Sequence, residues 1–227
     1  MSPSTLPLKE YSVDTPRQTL LKGAEHLLKS VPNWNPGKTY YEDTKHVTKI
    51  SHDTIDGDYW CARRTALRDI PIDKFKSAII GTTEIGFTHS DHEINYVHEI
   101  ESMQVRNIQN YEDNGWSYTI HAIYDFGFPL NKRSFNELVH VFVSNDKALV
   151  VSVPIAGEVE GVLGSYVSVE EIKWDADSVE WTVATTSKPG GIVPEWVTKL
   201  SIGGAIAKDV PNVLAYIESN KFLVQVG

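Results

Sequence analysis

The pattern of apolar and polar positions is organised around the stretch from Ser187 to Ile217. A Lys188-Pro189-Gly190-Gly191 turn closes what reads as a strand. Pro194, with Glu195 beside it, then suits the first turn of a helix, where a missing amide proton costs little. Trp196, Leu200, Gly203, Gly204, Ala207, Val210, Leu214 and Ile217 follow at helical spacing and share one side at about 100° per residue. This stripe is bulky at both ends and small in the middle. It can be ordinary core, or it can be one wall of a cavity.

Upstream the period changes to two. Strands are predicted over 98–109, 116–126, 133–144, 147–155, 164–174 and 179–187, with turns at Asp113-Asn114-Gly115, Asn145-Asp146 and Asp175-Ala176-Asp177 at hairpin distances. The clearest alternation is Trp116, Tyr118, Ile120, Ala122, Tyr124 and Phe126, set against Ser117, Thr119, His121 and Asp125. Phe135, Val139, Val141 and Val143 form a second inward set, and Trp181 with Val183 a third. Earlier in the chain, strands over 40–50 and 59–68 flank the Asp53–Asp58 turn. Asp14 and Pro16 open a helix running to about Val31, and another covers about 73–85. Residues 1–12 offer little to bury and read as a mobile terminus ahead of one domain, 13–227.

A twisted antiparallel sheet must cover its aromatic face, and the long C-terminal helix is the segment able to do it. The fold class is therefore α+β of the helix-grip kind: a curved antiparallel sheet wrapped around the last helix, with further N-terminal and mid-chain helices. Where helix and sheet do not interdigitate fully, a pocket remains.

Composition narrows the chemistry. The chain has 227 residues, 41% of them hydrophobic, and a formal charge of −9. This acidity argues against nucleic acid and against electrostatic attachment to anionic lipid. One cysteine, Cys61, fits a reducing compartment, and no secretory signal is read at the start. A cytoplasmic protein is expected. Asp53, Asp56 and Asp58 lack calcium-loop spacing. His89, His92, Glu93 and His98 lack zinc-protease spacing. Neither a nucleophile elbow nor a phosphate loop is present, so no catalytic residue and no metal ligand is assigned.

Three segments resemble the START-like lipid-transfer superfamily, and most closely an uncharacterised START-like family found mainly in fungi. They are Phe128-Pro129-Leu130-Asn131-Lys132-Arg133-Ser134-Phe135, Lys188 through Trp196, and Ile206-Ala207-Lys208-Asp209-Val210-Pro211 with Leu214 and Tyr216. His92-Glu93 with Tyr96 is similar to that branch as well. The resemblance implies a hydrophobic tunnel for one lipid, sterol or polyketide-like molecule, used for binding or transport, with transient membrane contact and no cofactor. Some sterol-binding relatives pair a carboxylate with an arginine deep in the tunnel. The matching positions here fall near Ile120 and Val139, both apolar, which implies a greasier cavity.

The expected ligand walls are Trp196, Leu200, Ala207, Val210 and Leu214 on the helix. On the sheet they are Tyr118, Ile120, Tyr124, Phe126, Phe135, Val139 and Trp181, with Arg106 as a polar anchor. Since some START-like proteins cyclise or aromatise polyketides, a cofactor-independent cyclase or isomerase using Tyr118, Tyr124 and Arg106 is the second reading.

Overall fold

The computed structural model describes residues 5–128, 130–191, 193, 195–219 and 221–222; for Glu195–Thr198 and Leu200 it describes the backbone alone. In chain order come α1 (Arg17–Ser30), β1 (Asn35–Tyr40), β2 (Thr48–Ile55), β3 (Asp58–Arg68), α2 (Ile72–Ile80) and α3 (His89–Glu93). They are followed by β4 (Ile100–Asn110), β5 (Trp116–Tyr124), β6 (Arg133–Val143), β7 (Lys147–Pro154), β8 (Val162–Leu163), β9 (Ser165–Trp174), β10 (Ser178–Lys188) and α4 (Glu195–Glu218). The strands form one sheet ordered β1-β2-β3-β10-β9-β7-β6-β5-β4, and β8 joins β6 in parallel. Every other pairing is antiparallel. This is the helix-grip arrangement expected from the sequence.

Period-two alternation gives the sheet two unlike faces. Leu20, Ala24 and Leu27 of α1 cover the outer face, packing with Trp60, Ala62, Leu149, Val151, Val169 and Ala184. On the inner face Tyr118, Ile120, Val139, Val150, Ile172 and Trp181 form the main core with Phe75 and Ile79 of α2 and Val210 and Ile217 of α4. The principal sheet contacts of α4 are with β1, β2, β3 and β10, one half of the sheet.

Several expectations are corrected. From Thr5 onward the N-terminal segment does offer something to bury: Leu6 lies in the outer core, and Tyr11 donates its N–H to the carbonyl of Pro154 at 2.7 Å. The first two strands bracket the segment 41–47, so the predicted 40–50 strand straddles a loop. Asp14 does not cap α1, whose N-cap is Pro16 without a side-chain bond. Helix α2 stops at Ile80 because Gly81 follows at φ +68°, where a Cβ would lie 2.2 Å from the backbone nitrogen of His89. The histidine-rich segment, given no element from sequence, contains α3, opened by a capping box between Thr88 and Asp91.

Gly203 and Gly204 do not break α4. A Cβ on Gly203 would meet Ile50 Cγ2 at 3.3 Å and Cys61 Sγ at 3.7 Å. The small stretch of the apolar stripe thus lets the helix approach β2 and β3 closely.

Candidate functional site

Between α4, α3 and the inner face of the sheet stands an unexpected set of ionisable groups. Inward parity places Arg63 on β3, Glu170 on β9 and Glu137 on β6, each among apolar neighbours of the same face. Glu93 and His89 reach in from α3, and Asp209 from α4. Four tyrosines join them: Tyr96, Tyr118, Tyr124 and Tyr166.

Arg63 is fully buried. Its Cζ lies 3.6 Å from the ring centroid of Trp181, and Nη1 donates to the carbonyl of Ile206 at 3.0 Å. Burial depresses its pKa, opposed by the nearby charges of Asp209 and Glu170. Burial pushes Asp209 up to about 7 against the pull of Arg63, with Glu170 and Glu93 adding to the rise. Glu170 is raised by burial as well, and His89 and Arg63 lower it. At His89 burial works against the imidazolium, yet the charge and hydrogen bond of Glu93, 3.5 Å away, carry its pKa to about 9.

Glu137 is the extreme case. It is 0% exposed, and neither carboxyl oxygen has a hydrogen-bond partner. Burial holds it well above the usual carboxylate range. The backbone N–H of Tyr166 favours the charged form but falls short of a formed hydrogen bond. Around it stand Phe135, Tyr124 and Tyr166, with ring centroids 5.0 Å apart for Tyr124–Phe135 and 5.6 Å for Phe135–Tyr166.

Tyr124, Tyr166, Glu170 and Asp209 lie deep enough that burial is the main influence on their protonation. Each nevertheless keeps surface that a water-sized sphere can reach.

Of the residues singled out by sequence, Tyr118, Ile120, Val139, Trp181, Ala207 and Val210 are buried between helices and sheet, and Leu214 is half-buried against the same core. Tyr124 and Phe135 meet beside Glu137. Phe126 lies past the end of β5, 42% exposed and stacked on Tyr124. The side chains of Trp196 and Leu200 lie outside the described residues. Arg106 is a correction: it has the outward parity of Thr119, is exposed, and pairs with Glu158 at 3.0 Å. The greasier cavity is also corrected. Ile120 and Val139 are apolar and inward as read, but buried charge enters from Arg63, Glu137, Glu170 and Asp209 instead. Arg133 does not pair with Glu137; it donates to the carbonyls of Pro189 and Asn131.

A cleft of ≈ 620 Å³ lies on the opposite side of the sheet, lined by Trp34, Pro36, Lys49, Arg64, Glu180 and Thr182 among others. It opens to solvent, and its Lys49, Arg64 and Glu180 are exposed. Its buried polar lining residue, Thr65, is uncharged, whereas the buried ionisable groups gather on the inner face, which is the stronger candidate.

The family described as "Protein of unknown function (DUF3074)" matches residues 60–217. No curated protein matches the sequence. Among solved structures, human STARD10 superposes with a TM-score of 0.71 at 10% identity, covering 93% of this chain and 83% of that one. Human StAR-related lipid transfer protein 5 gives 0.67 at 8% identity, covering 89% and 98%. The lipid transfer and protein localization domain of human StarD13 (DLC2) gives 0.59 at 14% identity, covering 88% and 96%. The fold is START-like.

Proposed function

Because the chain belongs to the DUF3074 family and carries a START-like fold, we propose that it binds or transfers one largely apolar small molecule in the space between α4 and the inner face of the sheet. The observation carrying this reading is the partial accessibility of Tyr124, Tyr166, Glu170 and Asp209 deep inside the helix–sheet layer. Side chains such as Ile120, Val139 and Val210 supply the apolar wall, and burial of ligand surface supplies the driving force at about 25 cal/mol per Å². The ligand class is a lipid, sterol or polyketide-like molecule, and the cytoplasm is the proposed compartment.

Exposed Phe126, Phe128, Leu130 and Leu163 support transient membrane contact during loading. Phe126 lies near Arg133, and Leu163 pairs beside it at Ser134, so these apolar groups gather at one end of β6. Among the described residues no helix is long and apolar enough to cross a membrane.

Native mass spectrometry of the protein purified from its own cells tests the reading. One co-purifying small molecule per chain, released by organic solvent, is expected. A bare mass, together with failure to take up any member of a lipid, sterol and polyketide panel, overturns it. The second reading, a cofactor-independent cyclase or isomerase, is favoured by Asp209, whose pKa of about 7 suits a general acid or base. Chemical change in the co-purified molecule on incubation separates enzyme from carrier.

A further inference from the structure

The outer face of the sheet is only partly covered. Helix α1 packs over Leu149, Val151 and Val169, while the segment 31–36 and the outward residues of β2, β3 and β10 enclose the cleft of ≈ 620 Å³. Register puts Lys49 of β2 opposite Arg64 of β3, and Arg64 opposite Thr182 of β10. Side chains paired in this way stand about 5 Å apart at Cβ, and two like charges so placed weaken a sheet. Ser51 follows Lys49 on the same face of β2 and also lines the cleft.

This chain has 30 acidic residues against 21 basic ones, so carboxylates are plentiful. Elsewhere they are used: Arg17, Lys45, Lys132 and Lys188 each hold an ion pair. Among the described residues neither Lys49 nor Arg64 has an ion pair or a side-chain hydrogen bond, and the hydroxyls of Ser51 and Thr182 are equally unused. Glu180 lies one row away, opposite Ala66, and pairs with neither cation. Two positive charges and two hydroxyl donors are thus left open on one floor.

The chemistry of that floor selects an occupant. A phosphate monoester brings up to two negative charges and three free oxygens, which the planar fork of Arg64 and the point charge of Lys49 can share. A carboxylate brings one charge and leaves half of the donors unused. The facing wall is apolar and stiff: Pro32 and Pro36 have fixed φ, and Trp34 is tied by its Nε1 to Ser30 Oγ at 3.0 Å. Such a wall suits a flat ring. Glu180 can accept from a hydroxyl or amino group and repels a second anionic group, which disfavours polyphosphates. The cleft has the size of a small-molecule site, roughly 300–1,000 Å³, and a chain of charge −9 is repelled by anionic membrane surfaces.

We propose that this cleft is a second ligand site, on the face opposite the inner space, that takes a small aryl or nucleoside monophosphate. The phosphate sits on Lys49 and Arg64 with Ser51 and Thr182 beside it, and the ring lies against Pro32, Trp34 and Pro36. The inference stands whether or not the inner space holds a ligand.

Isothermal titration of the full chain at low ionic strength tests it with phenyl phosphate, adenosine monophosphate, benzoate, adenosine and inorganic phosphate. Phenyl phosphate or adenosine monophosphate should bind at least about tenfold more tightly than any of the other three. Lys49→Gln and Arg64→Gln should each weaken that binding about tenfold. Both residues are exposed, so the thermal midpoint of each variant should match the parent. Arg68→Gln removes the same charge from the same face of β3 outside the cleft, and it should leave the affinity unchanged. An equal loss in Arg68→Gln and Arg64→Gln would mean diffuse charge and overturn the site. Equal binding of inorganic phosphate and phenyl phosphate would overturn the ring wall, and with it the class of ligand. Absence of binding by either organic phosphate overturns the proposal outright. So does flotation with vesicles carrying phosphorylated inositol lipids that Arg64→Gln abolishes, if no soluble phosphate binds, since the cleft would then serve a membrane headgroup.

Discussion

The guanidinium of Arg63 lies over the indole of Trp181, its Cζ 3.6 Å from the ring centroid, while Nη1 reaches the carbonyl of Ile206 at 3.0 Å. A β3 side chain thereby joins the middle of the sheet to the last helix. Pro211 of the same helix lacks the N–H that would reach the carbonyl of Ala207, the residue after the Ile206 carbonyl held by Arg63. The buried cation also compensates Asp209 and, after His89, Glu170.

Arg63→Ala should therefore loosen the grip of α4 and not merely remove a charge. A loss of about 2–4 kcal/mol is expected from the lost cation–π contact and the lost hydrogen bond to Ile206, measured by urea unfolding. Hydrogen exchange should rise in residues 203–212 before it rises in β6 and β7. Uniform exchange along α4 and the sheet would argue that Arg63 has no local anchoring role.

Asp209 predicts a pH dependence with a definite sign. Its carboxyl group is raised from 3.8 to about 7 in the folded chain, chiefly by burial. The folded state thus retains a proton that the unfolded state releases, so the group's stability contribution is full below about pH 4 and lost as pH rises through 7. His89, raised from 6.5 to about 9, acts in the same sense over the next window, and its contribution is lost as pH rises through 9. His92 and His140, lowered to about 4, act in the opposite sense, and theirs is lost as pH falls from 6.5 through 4. Asp209→Asn isolates one group. It should match the parent near pH 4 and exceed it by pH 8, and a flat difference across that range would refute the assignment.

Gly203 limits how large α4 can be where it crosses β2 and β3. Gly203→Ala adds a Cβ 3.3 Å from Ile50 Cγ2. The slight crowding offsets the gain of about 1 kcal/mol in helix propensity, so the net effect should be small. Gly203→Leu should cost about 1–3 kcal/mol by overpacking and should weaken ligand uptake as the helix lifts. Thermal melts with Nile red binding read both effects.

The exposed apolar tip can be tested without disturbing the fold. Phe128 is 101% exposed, and Leu130 is 40% exposed. Phe128→Asp with Leu130→Asp should leave the unfolding midpoint within about 0.5 kcal/mol of the parent. Vesicle flotation and the rate of ligand transfer between vesicles should both fall. Unchanged flotation would remove this tip from the membrane-contact proposal.

Local pattern set the elements whose environment is simple. Residues 116–124 alternate between a buried aromatic face and a polar one, so β5 was legible to within two residues, as were the other later strands and the 195–217 helix. Glu137 was legible only in part. Its position between Phe135 and Val139 gives it inward parity, while Arg133 on the same strand is taken up by the carbonyls of Pro189 and Asn131. The same holds for Arg63 and Glu170, which share a parity with Leu67 and Ile172 on their own strands. The N-terminal segment, the short α3 and the outward Arg106 depend on contacts distant in sequence: Thr5 with Asp56, Ser90 with Tyr118 and Arg106 with Glu158. By itself the sequence determined the periods, hence the sheet, the covering helix and the face each side chain takes. Only the tertiary structure decided which of those side chains stand together, because strand order in the sheet brings β3 beside β10 and lays α3 and α4 over the inner face. The buried acids are left unpaired there because packing aligned their parities without supplying a donor for every oxygen.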